Sequence, residues 1–138
     1  MSQAVDSPAA PDAAVVLAVR DGPIGRITLN RPDAYNAITI ELAQGLESAI
    51  RELAGTCAVI VIRGAGANFC VGGDFKALEA LRAEGEAALR ELFDSFHRAC
   101  ACIAEVSVPV IAAVEGYAMA GGFELMQACD FALVRDDA

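Results

Sequence analysis

Two short runs decide most of what this chain can fold into: AVIVIR from Ala58 to Arg63 and PVIAAV from Pro109 to Val114. Neither alternates apolar with polar residues, as a strand with one wet face would. Such runs fit strands buried on both faces, and that burial belongs to parallel sheets covered by crossover helices. Each run also ends in a glycine loop that leads into a helical pattern. A parallel strand reaches its neighbour only through a crossover of about a dozen residues or more, so the chain is committed to an α/β layout.

The remaining residues fall in around these strands. Val15–Arg20 and Ile24–Asn30 read as two further strands, with Asp21-Gly22-Pro23 as the hairpin turn between them. Arg31–Asn36 (RPDAYN) is a loop, because proline follows directly on the second strand. Leu42, Leu46, Ile50 and Leu53 recur at helical spacing and predict a helix over Ile40–Leu53, with Thr39 as N-cap and Gly55 as stop. A charged helical stretch follows from Lys76 to Val106, broken near Gly85, and Phe131–Arg135 (FALVR) reads as a third core strand. Residues 1–13 carry Ala, Pro, Ser and Asp without periodicity and read as a disordered lead-in to a domain over 14–138.

Composition narrows the partners. A net charge of -9 argues against nucleic acid and anionic membrane surfaces. Charges interrupt every apolar segment, so no membrane span is expected, and the N-terminus lacks a basic-then-apolar signal pattern. Five cysteines, an odd number set mostly in apolar or helical segments, read as reduced thiols of a cytoplasmic protein. Cys100 and Cys102 stand two apart on a helix, where side chains diverge, so no metal site is expected. The 56% hydrophobic content is high for a chain of 138 residues and points to burial at subunit contacts or against a further part of the protein.

The chemistry concentrates in two glycine loops. Val71-Gly72-Gly73-Asp74 follows one buried strand, and Ala120-Gly121-Gly122-Phe123-Glu124 follows the other. Ligands of α/β proteins gather beyond the carboxyl ends of such strands. Glycine there lets a substrate approach the backbone and leaves amide N–H groups open. Two N–H groups converging from separate loops form an oxyanion hole, and the loss of one donor typically costs ~3 kcal/mol of barrier. The helix beginning near Gly122 adds its positive end to the same point. For either loop alone, a turn or helix start that needs positive φ is an equally complete account.

Glu124 stands one turn beyond Gly121, among Phe123, Leu125 and Met126. In an apolar pocket its pKa would rise, which suits proton transfer near neutral pH. A first-turn glutamate on a solvated face, stabilised by the helix dipole, is the alternative.

Three blocks of this sequence, Ile27–Ile38 (ITLNRPDAYNAI), Val61–Leu78 (VIRGAGANFCVGGDFKAL) and Pro109–Asp130 (PVIAAVEGYAMAGGFELMQACD), resemble the crotonase superfamily, the enoyl-CoA hydratase/isomerase group. The resemblance covers the chain from Val15 onward. It implies a crotonase-like (ClpP/crotonase) fold of repeated ββα units, incomplete in this chain, because chains of that group are roughly twice as long. By the same resemblance, Gly73 and Gly121 correspond to the two N–H donors that polarise an acyl-CoA thioester carbonyl. Glu124 corresponds to the first of two catalytic glutamates. Ala34, Val71, Gly73, Asp74, Phe75 and Lys76 correspond to segments lining the CoA cleft. The resemblance implies hydration of 2-enoyl-CoA, with isomerisation, hydrolysis, decarboxylation or a catalytically silent acyl-CoA-binding subunit as alternatives. It implies no cofactor beyond the coenzyme A of the substrate, and a homotrimer or hexamer, with the C-terminal half as a possible separate chain. Two departures stand out: Ala120 replaces the first residue of the usual glycine run, and Asp33-Ala34 stand where many members carry a basic residue.

Overall fold

The computed structural model describes residues 14–138, so the expected lead-in over residues 1–13 lies outside the described residues. Five strands form one sheet in chain order: β1 (Val16–Asp21), β2 (Ile24–Leu29), β3 (Val59–Gly64), β4 (Val110–Val114) and β5 (Phe131–Val134). β1 and β2 are antiparallel and joined by Gly22 and Pro23, with Gly22 at φ 58°. Every later pairing is parallel. The crossovers are α1 (Ile40–Ala54) between β2 and β3, α2 (Phe75–Glu84) and α3 (Glu86–Glu105) between β3 and β4, and α4 (Gly121–Ala128) between β4 and β5.

The local signals hold where they are strong. Thr39 Oγ1 accepts the Leu42 N–H at 3.2 Å and starts α1, which buries Leu42, Ala43, Leu46, Ala49, Ile50 and Leu53 against β1 to β3 and α3. Each fully buried leucine or isoleucine on that face contributes roughly 1.5–3 kcal/mol. The break foreseen at Gly85 is real: its φ of 127° is a glycine conformation and divides α2 from α3.

Burial of the sheet differs from the expectation. On the helix face Ile60, Ile62, Val110, Ala112 and Val114 are buried, whereas Val59, Val61, Ile111 and Ala113 on the opposite face are half-buried. β5 was expected as a core strand, yet all four of its residues are exposed, with Leu133 at 68%. The reason is geometric. Among the described residues the helices cover one face of the sheet, and β5 has a strand partner on one side only.

A second, narrower layer lies beyond the main sheet. Isolated parallel bridges pair Ile38 with Gly73 and Cys70 with Ala118. A unit of strand, extended bridge segment and helix therefore occurs three times: β2–Ile38–α1, β3–Cys70 to Gly73–α2, and β4–Ala118–α4. These are the repeated ββα units of a crotonase-type fold, and this second layer carries the site.

Candidate active site

Three loops meet past the carboxyl ends of β2, β3 and β4, and two asparagines tie them together. Asn36 is fully buried at φ 56°, a left-handed conformation that asparagine tolerates. Its Oδ1 accepts the Arg31 N–H at 2.9 Å, and its Nδ2 donates to the carbonyls of Ala65 at 3.0 Å and Asn68 at 2.8 Å. Asn68 Oδ1 in turn accepts the Tyr117 N–H at 3.0 Å. Removing the Asn36 amide would strand three partly buried backbone groups, at up to about 1–3 kcal/mol for each.

The loops so fixed aim two amides outward. Ile38 N–H donates to the Gly72 carbonyl at 2.7 Å, and Asp74 N–H donates to the Ile38 carbonyl at 3.0 Å. In this parallel bridge Ile38 uses its own N–H and carbonyl, whereas Gly73 is paired through the groups flanking it and its own N–H faces the other way. The Gly73 N–H therefore points away from Ile38. The Gly121 N–H opens the first turn of α4, and its peptide unit is held because the Ala120 carbonyl accepts the Glu124 N–H at 3.0 Å. Among the described residues neither the Gly73 nor the Gly121 amide has an acceptor.

Close backbone packing brings the two together. A Cβ on Gly72, whose φ is 97°, would stand 3.1 Å from the Gly121 nitrogen. A Cβ on Gly122 would overlap the Cys70 carbonyl, so α4 seats directly on the β3 loop. Between them sits Ala120, a non-glycine residue at φ 47° and ψ -122°. The Ala for Gly exchange noted in the sequence thus leaves alanine in backbone space that favours glycine.

Gly73, Gly121 and Glu124, the three residues proposed from sequence as catalytic, line one cavity of about 250 Å³. Its other walls are Ile38, Ala120, Leu78 of α2, and Leu92, Phe93 and Phe96 of α3. Two glycines with acceptor-free amides and one glutamate thus share a cavity with an apolar wall. The residues matched to the CoA cleft sit elsewhere, apart from Gly73. Ala34, Val71 and Asp74 are half-buried, and Phe75 and Lys76 are exposed. The Asp74 carboxylate is already engaged: it accepts the Ala77 N–H at 3.0 Å as N-cap of α2 and pairs with Arg31 Nη2 at 3.0 Å. Those two bonds hold its pKa below the usual carboxylate range.

Two readings of Glu124 stood open, an enclosed carboxylate and a first-turn glutamate on a solvated face. α4 turns Gly122 and Leu125 inward and leaves Phe123 and Glu124 exposed, which favours the second for its outer side. Among the described residues, this eight-residue helix has no neighbour that covers its outer side. On its inner side Glu124 comes near α3: burial first, and then the Glu124 charge, pushes the Cys100 thiol up to about 11. Sequence reading missed Arg31, Asn36 and the Phe93–Phe96 wall. The wall had a signal in its spacing of three, which extends the apolar face of α3 past what the sheet can cover.

Residues 20–138 match the enoyl-CoA hydratase/isomerase family. The chain belongs to that family. A probable enoyl-CoA hydratase of Mycobacterium tuberculosis is 39% identical over 119 residues, covering 84% of this chain and 44% of that protein. Among solved structures, an enoyl-CoA hydratase from Polaromonas superposes with a TM-score of 0.85 at 32% identity, over 89% of this chain and 49% of that one. A putative enoyl-CoA hydratase from Thermobifida fusca, solved in complex with acetoacetyl-CoA, gives 0.78 at 31% identity, over 91% and 52%. The crotonase fold is thus shared, and the chain spans about half the length of the curated relatives it matches.

Proposed function

We propose that this chain supplies the first part of an enzyme that hydrates 2-enoyl-CoA thioesters. The observation that carries the reading is the pair of acceptor-free amides, Gly73 and Gly121, in one cavity with Glu124. A thioester carbonyl oxygen held between those amides loses electron density, and the conjugated β-carbon becomes electrophilic. A water then adds its oxygen to that carbon while its proton passes to the Glu124 carboxylate. The resulting enolate, held by both amides, takes a proton at the α-carbon. Atoms and charge balance without any redox step. A second acid would come from outside the described residues. The apolar wall of Leu78, Leu92, Phe93 and Phe96 suits the acyl chain, and the segments matched to the CoA cleft suit the CoA moiety. The acetoacetyl-CoA complex of the Thermobifida relative supports an acyl-CoA ligand for this fold. A trimer or hexamer fits the many exposed apolar side chains, among them Phe131 and Leu133.

The test is hydration of crotonyl-CoA, followed by loss of the enoyl-thioester absorbance, with the protein expressed in full and with its Glu124→Gln variant. The variant should bind the substrate yet turn over about 10²–10⁴-fold more slowly. Equal turnover by both forms would refute the assignment of the acid.

A further inference from the structure

Arg31 and Asp74 are 43 residues apart in sequence and meet at 3.0 Å beside the candidate oxyanion hole. Their side chains are 23% and 15% exposed, so the pair is largely withdrawn from water. Arg31 is held on three sides. Its Nη2 binds Asp74, its Nη1 donates to the Ala37 carbonyl at 2.6 Å, and its backbone N–H donates to Asn36 Oδ1 at 2.9 Å. Asp74 follows Gly73 directly, takes its backbone N–H to Ile38, and caps α2, which sends Leu78 to the cavity wall.

The arrangement is a strut from the β2 loop to the residue after the donor. A withdrawn ion pair is weak evidence for stability, since desolvation offsets much of the attraction. What it does fix is direction. The guanidinium presents its N–H groups in a rigid plane, so two acceptors held at once set the distance between their segments. We propose that Arg31 is a positioning residue: through Asp74 it holds the Gly73 amide at the separation from Gly121 that a single oxyanion requires. The proposal rests on the thioester reading above and adds to it a residue that touches neither substrate nor reacting atoms.

The experiment uses the protein expressed in full and a coenzyme A thioester of an arylacrylic acid with an electron-donating ring substituent. Absorption of this probe moves to longer wavelength as its carbonyl is polarised. Arg31→Met and Asp74→Asn are compared with the unmutated protein at saturating probe. Asp74→Asn keeps an oxygen to cap α2 and loses the charge that Arg31 holds, so it carries the test where Arg31→Met fails to fold. The expected result is a shift clearly smaller than in the unmutated protein. With it, kcat on crotonyl-CoA falls about 10- to 100-fold in both variants, while KM and probe affinity change little in Arg31→Met, which leaves every residue matched to the CoA cleft in place. Arg31→Lys, which keeps the charge but not the two-acceptor plane, falls between. A full shift and unchanged kcat in both variants overturn the proposal and leave the oxyanion reading standing. No shift in the unmutated protein overturns the oxyanion reading and the proposal with it.

Discussion

Ala120→Gly should stabilise the protein, against the usual rule that glycine weakens a fold. Alanine at φ 47° and ψ -122° occupies backbone space in which a Cβ is crowded, and such conformations cost about 1–3 kcal/mol. Replacing the methyl by hydrogen removes that strain. Against it stands the added freedom of glycine in the unfolded chain, about 0.4–1 kcal/mol. Little apolar burial is lost, because Ala120 is exposed. The net is a gain of about 1 kcal/mol, which for a domain of this size raises the thermal midpoint by roughly 4 °C. Calorimetric or circular-dichroism melts of the two forms at one concentration measure it directly. Ala120→Val, a β-branched residue in the same backbone, should melt lower than the parent. A midpoint for Ala120→Gly equal to or below the parent would show that the backbone at Ala120 is not strained.

Gly122→Ala should do the opposite. Its Cβ would overlap the Cys70 carbonyl, a backbone atom that cannot turn aside, so a loss of about 3 kcal/mol or more is expected in chemical denaturation. The thiols of Cys70, Cys100 and Cys102, pushed by burial to about 11, and of Cys129, pushed to about 12, should resist iodoacetamide at pH 8 in the folded protein. Mass spectrometry should find them alkylated promptly once denaturant is added; equal rates in both states would contradict the packing. The folded-state pKa of Asp74 lies below its unfolded value of about 3.9, so its stabilisation is present above that pH and is lost as pH falls through the lower folded value. Asp74→Asn should therefore flatten the stability profile below about pH 4, as read from unfolding midpoints, and an unchanged acid slope would count against the interaction.

The sequence made the local features legible and left the reciprocal ones hidden. β3, β4, α1 with its Thr39 cap and the break at Gly85 each depend on residues within a few positions of one another, and propensity and periodicity report such neighbourhoods directly. The placement of Gly73 with Gly121 was visible for a similar reason, because each glycine loop announces itself at a strand end. Arg31 and Asp74 carried no such mark. Either charge alone reads as a solvated loop residue, and their pairing exists only once α1 and β3 have brought the loops together. The exposure of β5 was equally illegible, since FALV is a core-type strand by composition and its burial depends on chain it does not itself contain. Glu124 fell between: its position on the first turn of α4 was readable, whereas the choice between an enclosed and a solvated side chain depends on how α4 packs.

The single hydrogen bond from Glu124 N–H to the Ala120 carbonyl has a mechanical meaning. It closes a ring that contains the Gly121 nitrogen and ends on the Glu124 nitrogen, one bond from the α-carbon that carries the glutamate side chain. The Gly121 amide and the Glu124 side chain, the anchor and the proton carrier in the function proposed above, are thus geared to one another, and tilting either by a backbone change turns both. A redesign that moves the carboxylate while the thioester stays in place must act through the side chain at position 124. Changes at 120 to 122 would steer the anchor and the acid as one part.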